Sequence, residues 1–242
     1  MTTAPAADQA RLLDLQALDT RLQQITHAHA THPARSTVDE LGKRLADLDE
    51  VAVRARTDVS DIKREVTKAE TDVEQVRSRA DRDRARMESG ALAAKDLQGL
   101  TSELESLARR QEALEEVELE AMERLEAAED QLAQATRARE EIASARDAAL
   151  AELEAALSVL DKERVSVQAE RAPIAAGIDA ALIALYDSLR ERLGGLAAAR
   201  LTGRTCEGCR LELNAGFVEK VKSQDPEMIA RCDECGRILV RA

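Results

Sequence analysis

Large aromatic side chains are nearly absent: the 242 residues include no tryptophan, one tyrosine (Tyr186) and one phenylalanine (Phe217). Compact cores draw on such rings for buried area, which argues against one ordinary globular domain spanning the chain. Proline and glycine are scarce as well, at four and ten, leaving few positions where a helix has to stop. No stretch is long and apolar enough to cross a bilayer, and residues 1–8 lack the basic start and apolar run of an export signal. A cytoplasmic chain with no membrane partner is therefore expected. Positive charge is also short overall, with a formal net charge of -12, against wholesale coating of nucleic acid.

Charged residues make up 34% of the chain, and its apolar share is mostly alanine, leucine and valine. That balance suits narrow apolar stripes on solvated helices. From Leu41 the apolar residues recur at alternating steps of four and three: Leu45, Leu48, Ala52, Ala55, Val59, Ile62, Val66, Ala69, Val73, Val76 and Ala80. This is a coiled-coil seam. Asp83 takes the next seam position before Met87, so pairing is expected to loosen there. At 1.5 Å per residue the arm from Leu41 to Met87 spans roughly 70 Å.

Glu88-Ser89-Gly90-Ala91 holds the first turn-type residues after that arm, and a second seam follows at Leu97, Leu100, Leu104, Leu107, Leu114, Ala121, Leu125, Ala128, Leu132 and Ala135. It continues through Ile142, Ala149, Leu153 and Leu160, with Gln111, Glu118, Arg139 and Arg146 in weaker seam positions. Two seams joined by a short turn bury each other most economically as an antiparallel hairpin, with its tip near 88–95. Leu12, Leu15, Leu18, Leu22 and Ile25 form another stripe, assigned to a first helix that covers the far end of the returning one. His32-Pro33 interrupts it, and Pro173 is expected to break the returning helix in the same way. A last helix with Ile178, Leu182, Leu185, Tyr186 and Leu189 stops at Gly194-Gly195.

Beyond the glycine pair come short apolar runs and all four cysteines. Cys206-Glu207-Gly208-Cys209 and Cys232-Asp233-Glu234-Cys235 form two C-x-x-C pairs separated by 22 residues. Cytosolic thiols stay reduced, so the pattern points to metal rather than disulfides. Each pair can wrap one side of a tetrahedral ion, with sulfur about 2.3 Å from zinc, and four cysteines leave no position open for water. One structural Zn²⁺ would then stand in for a core in a segment too small to be stable alone. The rival reading, a redox thiol pair, lacks the βαβ pattern that usually surrounds one. Gly208 and Gly236 are expected to let each turn bend and aim N–H groups at sulfur. Arg210–Leu213, Met228–Arg231 and Arg237–Val240 are candidate strands, Asp225-Pro226 a turn, and Phe217, Val218 and Val221 a short capping helix.

Residues 196–242 carry eight cations and seven acids, and Zn²⁺ with four thiolates adds -2. That balance suits a solvated mixed surface, although Arg204, Arg210, Lys220, Lys222 and Arg237 are candidates for contact with nucleic acid or a partner if they share a face. Near the hairpin turn, Arg77, Arg79, Arg82, Arg84, Arg86 and Lys95 outnumber Asp81, Asp83 and Glu88. Arg82, Arg84, Arg86 and Lys95 are the candidate contacts at this basic tip. His27, His29 and His32 read as a solvent-facing bend beside Pro33. No phosphate-cradling glycine loop, nucleophile elbow or catalytic triad is recognisable, and no enzymatic activity is expected.

The order of these parts resembles the bacterial family of four-cysteine zinc-ribbon proteins with an N-terminal coiled-coil hairpin. The likeness covers almost the whole chain and is most specific at Cys232-Asp233-Glu234-Cys235-Gly236-Arg237-Ile238-Leu239. It extends to Leu15, Leu18 and Asp19, to Ala94-Lys95-Asp96-Leu97-Gln98-Gly99-Leu100, and to Tyr186. Val240 departs from the aromatic residue frequent after the terminal leucine. The resemblance implies that Leu196–Leu201 is the first ribbon strand, against the helical preference of its alanines. It also implies links to transcription: binding of an alternative sigma factor of the nitrogen-regulation type, control of flagellar genes, and RNA binding. None of these maps onto a named residue.

The expectation is thus a mainly α chain, with a long antiparallel coiled-coil hairpin over 1–195 and a small β zinc ribbon over 196–242. Its function would be that of a zinc-binding, non-enzymatic adaptor or regulator with a protein partner in the transcription machinery, as a monomer or weak dimer. The alternative is binding of RNA or DNA through the ribbon. A redox-sensing zinc site ranks last.

Overall fold

The computed structural model describes residues 3–90 and 93–241, so Ala91 of the expected turn lies outside the described residues. The described elements run α1 (Ala6–Ala30), α2 (Ala34–Glu88), α3 (Ala94–Ala176), α4 (Ala180–Arg192), β1 (Ala198–Thr202), β2 (Thr205–Cys206), α5 (Ala215–Ser223), β3 (Ala230–Arg231) and β4 (Ile238–Arg241). They fall into two compact units, residues 36–150 and residues 1–35 with 151–242. The sequence boundary at 195/196 separates helices from ribbon. Compactness instead groups α1, α4 and the end of α3 with the ribbon, because the small sheet buries one face against these helices.

In the 36–150 unit the seam follows the sequence closely. Ala52, Ala55, Val59, Val66, Ala69, Val73, Val76 and Ala80 of α2 are buried, as are Leu100, Leu107, Ala121, Ala128 and Ala135 of α3. The polar seam residues Gln111, Glu118, Arg139 and Arg146 are half-buried. Ion pairs flank the seam: Arg79 with Glu103, Arg77 with Glu115 (3.3 Å), Glu65 with Arg124 (2.7 Å), Lys63 with Glu129 (2.8 Å) and Asp49 with Arg139. One partner's position falls as the other's rises, the register of an antiparallel pair. Solvent screens these exposed pairs, so they set register more than stability. At Asp83 the helix itself does not break: α2 runs on to Glu88, and the aspartate sits in the seam at 7% exposure.

In the other unit, α1 follows Pro5 and ends at Ala30, before the break at His32-Pro33. Leu12 and Leu15 pack with Ile178, Leu182, Tyr186 and Leu189 in one core. Pro173 does not end α3, contrary to the expectation. Proline removes only one helical donor, and the last turn completes itself when Gly177 N–H bonds to Pro173 O (3.1 Å) and Ile174 O (3.2 Å). Asp179 then caps α4 by accepting from Ala181 N and Leu182 N at 3.0 and 3.1 Å.

The four-stranded sheet has the order β2-β1-β4-β3, with β1 and β4 parallel and both outer pairs antiparallel. Successive residues face opposite sides. Ala198 and Ile238 join the helical core, while Ala199, Leu201 and Leu239 join a second core with Cys206, Cys232, Leu213, Val218 and Val221. Alanine tolerates the strand here because its small side chain lets α1 lie close over β1, a tertiary demand that outweighs helical propensity. The expected strand Arg210–Leu213 is not formed. Arg210 adopts φ 61, which interrupts extended backbone, and only an isolated bridge from Glu212 to Thr205 remains. The strand beside the first cysteine is β2 instead.

Candidate metal centre

The two C-x-x-C pairs occupy equivalent turns. After each second cysteine the chain returns an N–H to the first: Arg210 N to Cys206 O at 2.7 Å and Gly236 N to Cys232 O at 2.8 Å. That return needs a left-handed residue, and Gly236 supplies φ 74 without the cost of a Cβ. Arg210 meets the same need at φ 61 with a side chain attached, a strain of about 1–2 kcal/mol. Gly208 serves differently. An added Cβ would lie 2.9 Å from Ala199 Cβ and 2.8 Å from Arg237 Cδ, so glycine there permits the turn to sit against the sheet.

These turns bring Cys206, Cys209, Cys232 and Cys235 together, with all four sulfurs within 4.8 Å of one another. Cys206 and Cys235 Sγ are 4.0 Å apart, as are those of Cys209 and Cys232. Four sulfurs at 2.3 Å around a tetrahedral zinc stand about 3.8 Å apart. The cysteines therefore fit one structural Zn²⁺ and fill its coordination sphere.

Without metal, most of the local field opposes ionisation. Burial pushes the Cys206 thiol up, and that of Cys232 up to about 12, although N–H groups of Gly208, Cys209, Glu234 and Cys235 work against it. Cys235 feels burial too, but the N–H and side chain of Arg237 outweigh it and hold the thiol down at about 7. A zinc ion held by Cys206, Cys209, Cys232 and Cys235 would supply the positive charge that favours their thiolate forms.

Buried polar side chains of α1 tie this ribbon to the helices. Gln16 Oε1 accepts from Ala197 N (2.7 Å) and Ala198 N (3.2 Å), while its Nε2 donates to Gly195 O (2.9 Å). Gln9 Nε2 donates to Ala4 O (2.9 Å), Pro226 O and Glu227 O (both 3.1 Å). Asp19 accepts from Tyr186 Oη (2.8 Å), Arg171 Nε (2.7 Å), Arg171 Nη2 (3.2 Å) and Arg190 Nη1 (2.8 Å). Burial, reinforced by the Asp19 charge, raises the Tyr186 phenol, and the hydrogen bond to Asp19 raises the Arg171 guanidinium. Sequence reading assigned no buried role to Gln9 or Gln16. The signal was there, since both lie one turn from Leu12 on the stripe that Leu12 and Leu15 define.

The cations named from sequence have different fates. Arg204 pairs with Glu212 at 3.2 Å, and Arg237 Nε donates to Leu196 O at 2.9 Å, so both have structural partners. Arg210, Lys220 and Lys222 are exposed. At the tip, Arg84 pairs with Asp81 (2.7 Å) and Arg86 lies 3.8 Å from Asp83, while Arg82 and Lys95 are exposed. Among the histidines, His32 Nδ1 accepts from Ala34 N at 3.3 Å, and His29 Nε2 lies 3.9 Å from Asp161. No helix among the described residues is long and apolar enough to cross a membrane.

Comparison with known proteins agrees with this geometry. Residues 15–194 match the CT398-like coiled coil hairpin domain, and residues 205–239 match the C4-type zinc ribbon domain. An uncharacterised protein of Mycobacterium tuberculosis is 35% identical over 239 residues, covering 98% of this chain and 97% of that one. One from Mycobacterium leprae is 27% identical over 221 residues, covering 91% and 95%. A solved structure from Mycobacterium smegmatis superposes with a TM-score of 0.87 at 33% identity, covering 99% of this chain and 100% of that one. CT398 from Chlamydia trachomatis, at 15% identity and TM-score 0.70 over 98% of each chain, shares the fold.

Proposed function

We propose, from the premise that this chain belongs to the CT398-like coiled-coil hairpin family and ends in a C4-type zinc ribbon, that it is a non-enzymatic adaptor or regulator acting on transcription machinery through protein–protein contacts. The observation that carries this reading is the closed metal site. Four converging thiols fill a tetrahedral zinc, so the ion holds structure and leaves no coordination position for substrate or water. The transcription assignment draws on the resemblance of Cys232–Leu239 and Ala94–Leu100 to the family. Candidate docking residues are Arg82, Arg84, Arg86 and Lys95 at the tip and Arg210 in the ribbon, where Leu211 is 50% exposed.

A photo-crosslinking residue placed at Arg82 or Leu211 in cells should recover a defined protein of the transcription machinery. Recovery of no protein from either position refutes the reading. Exposure of Arg210, Lys220 and Lys222 favours a second one, RNA or DNA binding by the ribbon. It predicts a gel shift that weakens as salt rises, because phosphate contacts release counterions; the absence of a shift at low salt excludes it.

A further inference from the structure

Asp83 is the anomaly of the hairpin. Its side chain lies inside the α2–α3 seam at 7% exposure, in the position an apolar residue holds one and two turns earlier at Ala80 and Val76. Oδ2 is the one buried side-chain oxygen or nitrogen among the described residues that has no hydrogen-bond partner. Among the described residues Oδ1 has Arg86 Nη1 alone, at 3.8 Å, beyond hydrogen-bond length. Other polar residues in the seam escape this cost. Gln111 donates to Glu115 at 2.8 Å and Arg139 pairs with Asp49, both from half-buried positions.

The position matters as much as the chemistry. Between Asp83 and the tip the apolar cover is thin: Leu100 is buried, but Met87 and Leu97 are only half-buried. The compact cluster of Val76, Ala80 and Leu107, with Leu104 and Leu114 against it, lies on the other side of Asp83. Opening the last turns therefore exposes little apolar surface and gives the carboxylate back its water, whereas opening farther down would break this cluster.

We infer that Asp83 makes the tip a local gate: the last turns of α2 and the first turns of α3 open and close as a unit while the seam below Ala80 stays paired. This goes beyond the proposed adaptor function, since the gate exists whether or not the tip docks a partner. If the tip does dock, a partner that binds the open form shifts a balance already present.

Hydrogen exchange on the full-length, zinc-loaded protein tests the inference. Asp83→Leu, which restores the seam, should slow exchange of amides in 83–88 and 97–103 by roughly tenfold or more, since an unmet buried polar group is removed. Amides at 59–66 and 121–128 should be unchanged. Asp83→Ala covers the case in which leucine overpacks the seam. The exposed Asp81→Ala measures the gain from helix propensity less its surface pair with Arg84, worth about twofold in exchange, and Asp83→Ala should exceed it by more than that pair accounts for. Tip exchange as fast in Asp83→Leu and Asp83→Ala as in the parent and Asp81→Ala overturns the gate. Failure of tip cross-linking would count against docking and leave this measurement unaffected.

Discussion

Removing the Asp19 carboxylate should be among the most damaging single changes in the core that α1 and α4 share. Asp19→Ala deprives the Tyr186 hydroxyl of its acceptor at 2.8 Å within a fully buried ring, a loss of about 1–3 kcal/mol. The two arginines lose a shared anion as well. Their side chains are 24% and 37% exposed, so each recovers part of its solvation and only part of a buried-charge penalty applies. Together these give about 2–4 kcal/mol, less than the full cost of unpairing a wholly buried charge, and still a large share of the about 5–15 kcal/mol that holds a domain folded. Tyr186 is the sole tyrosine in a chain without tryptophan, so its fluorescence during urea unfolding reports this core directly. Asp19→Ala should move the midpoint strongly to lower urea at unchanged slope. Tyr186→Phe, followed by circular dichroism, should cost about 1 kcal/mol. The double variant should cost less than the sum of the two, because they share one bond. A loss below about 1 kcal/mol for Asp19→Ala, or full additivity, refutes the network as a stabilising unit.

Elemental analysis of natively purified protein should find one zinc per chain, and Cys209→Ser should lower that occupancy while leaving the 36–150 seam helical; full zinc retention would contradict four-sulfur ligation. Gly208→Ala should weaken zinc retention against a chelator, because its Cβ would press on Ala199 at 2.9 Å; unchanged retention would show that the turn shifts freely. Alkaline pH should expose the raised Tyr186 phenol. The unfolded phenol ionises at about 10, so the stability it contributes is complete below that pH and declines as pH rises toward the higher folded value. Tyrosinate absorbance should then appear together with unfolding, and a phenol titrating near 10 in folded protein would refute the burial argument.

Local patterns carry far in this chain because its largest elements are long and regular. The heptad spacing from Leu41 to Ala80 and from Leu97 to Ala135 fixed which faces are buried, and even its flaw at Asp83 lay in the spacing. The metal ligands were equally legible, since four sulfurs in two short turns have one economical arrangement around a tetrahedral ion. Contacts between residues far apart in sequence decided the rest. Ala197–Ala199 read as helix by propensity, yet Ala198 and Ala199 became strand because β4 pairs with them and α1 needs close approach. Arg210–Leu213 read as strand and did not form one, because the metal turn demands a left-handed residue at Arg210. Gln9, Gln16 and Asp19 gained their roles only when partners more than 150 residues away arrived beside them. The seams and the cysteines are periodic or clustered in the chain itself, whereas these polar ties exist only where the fold brings distant backbone and side chains together.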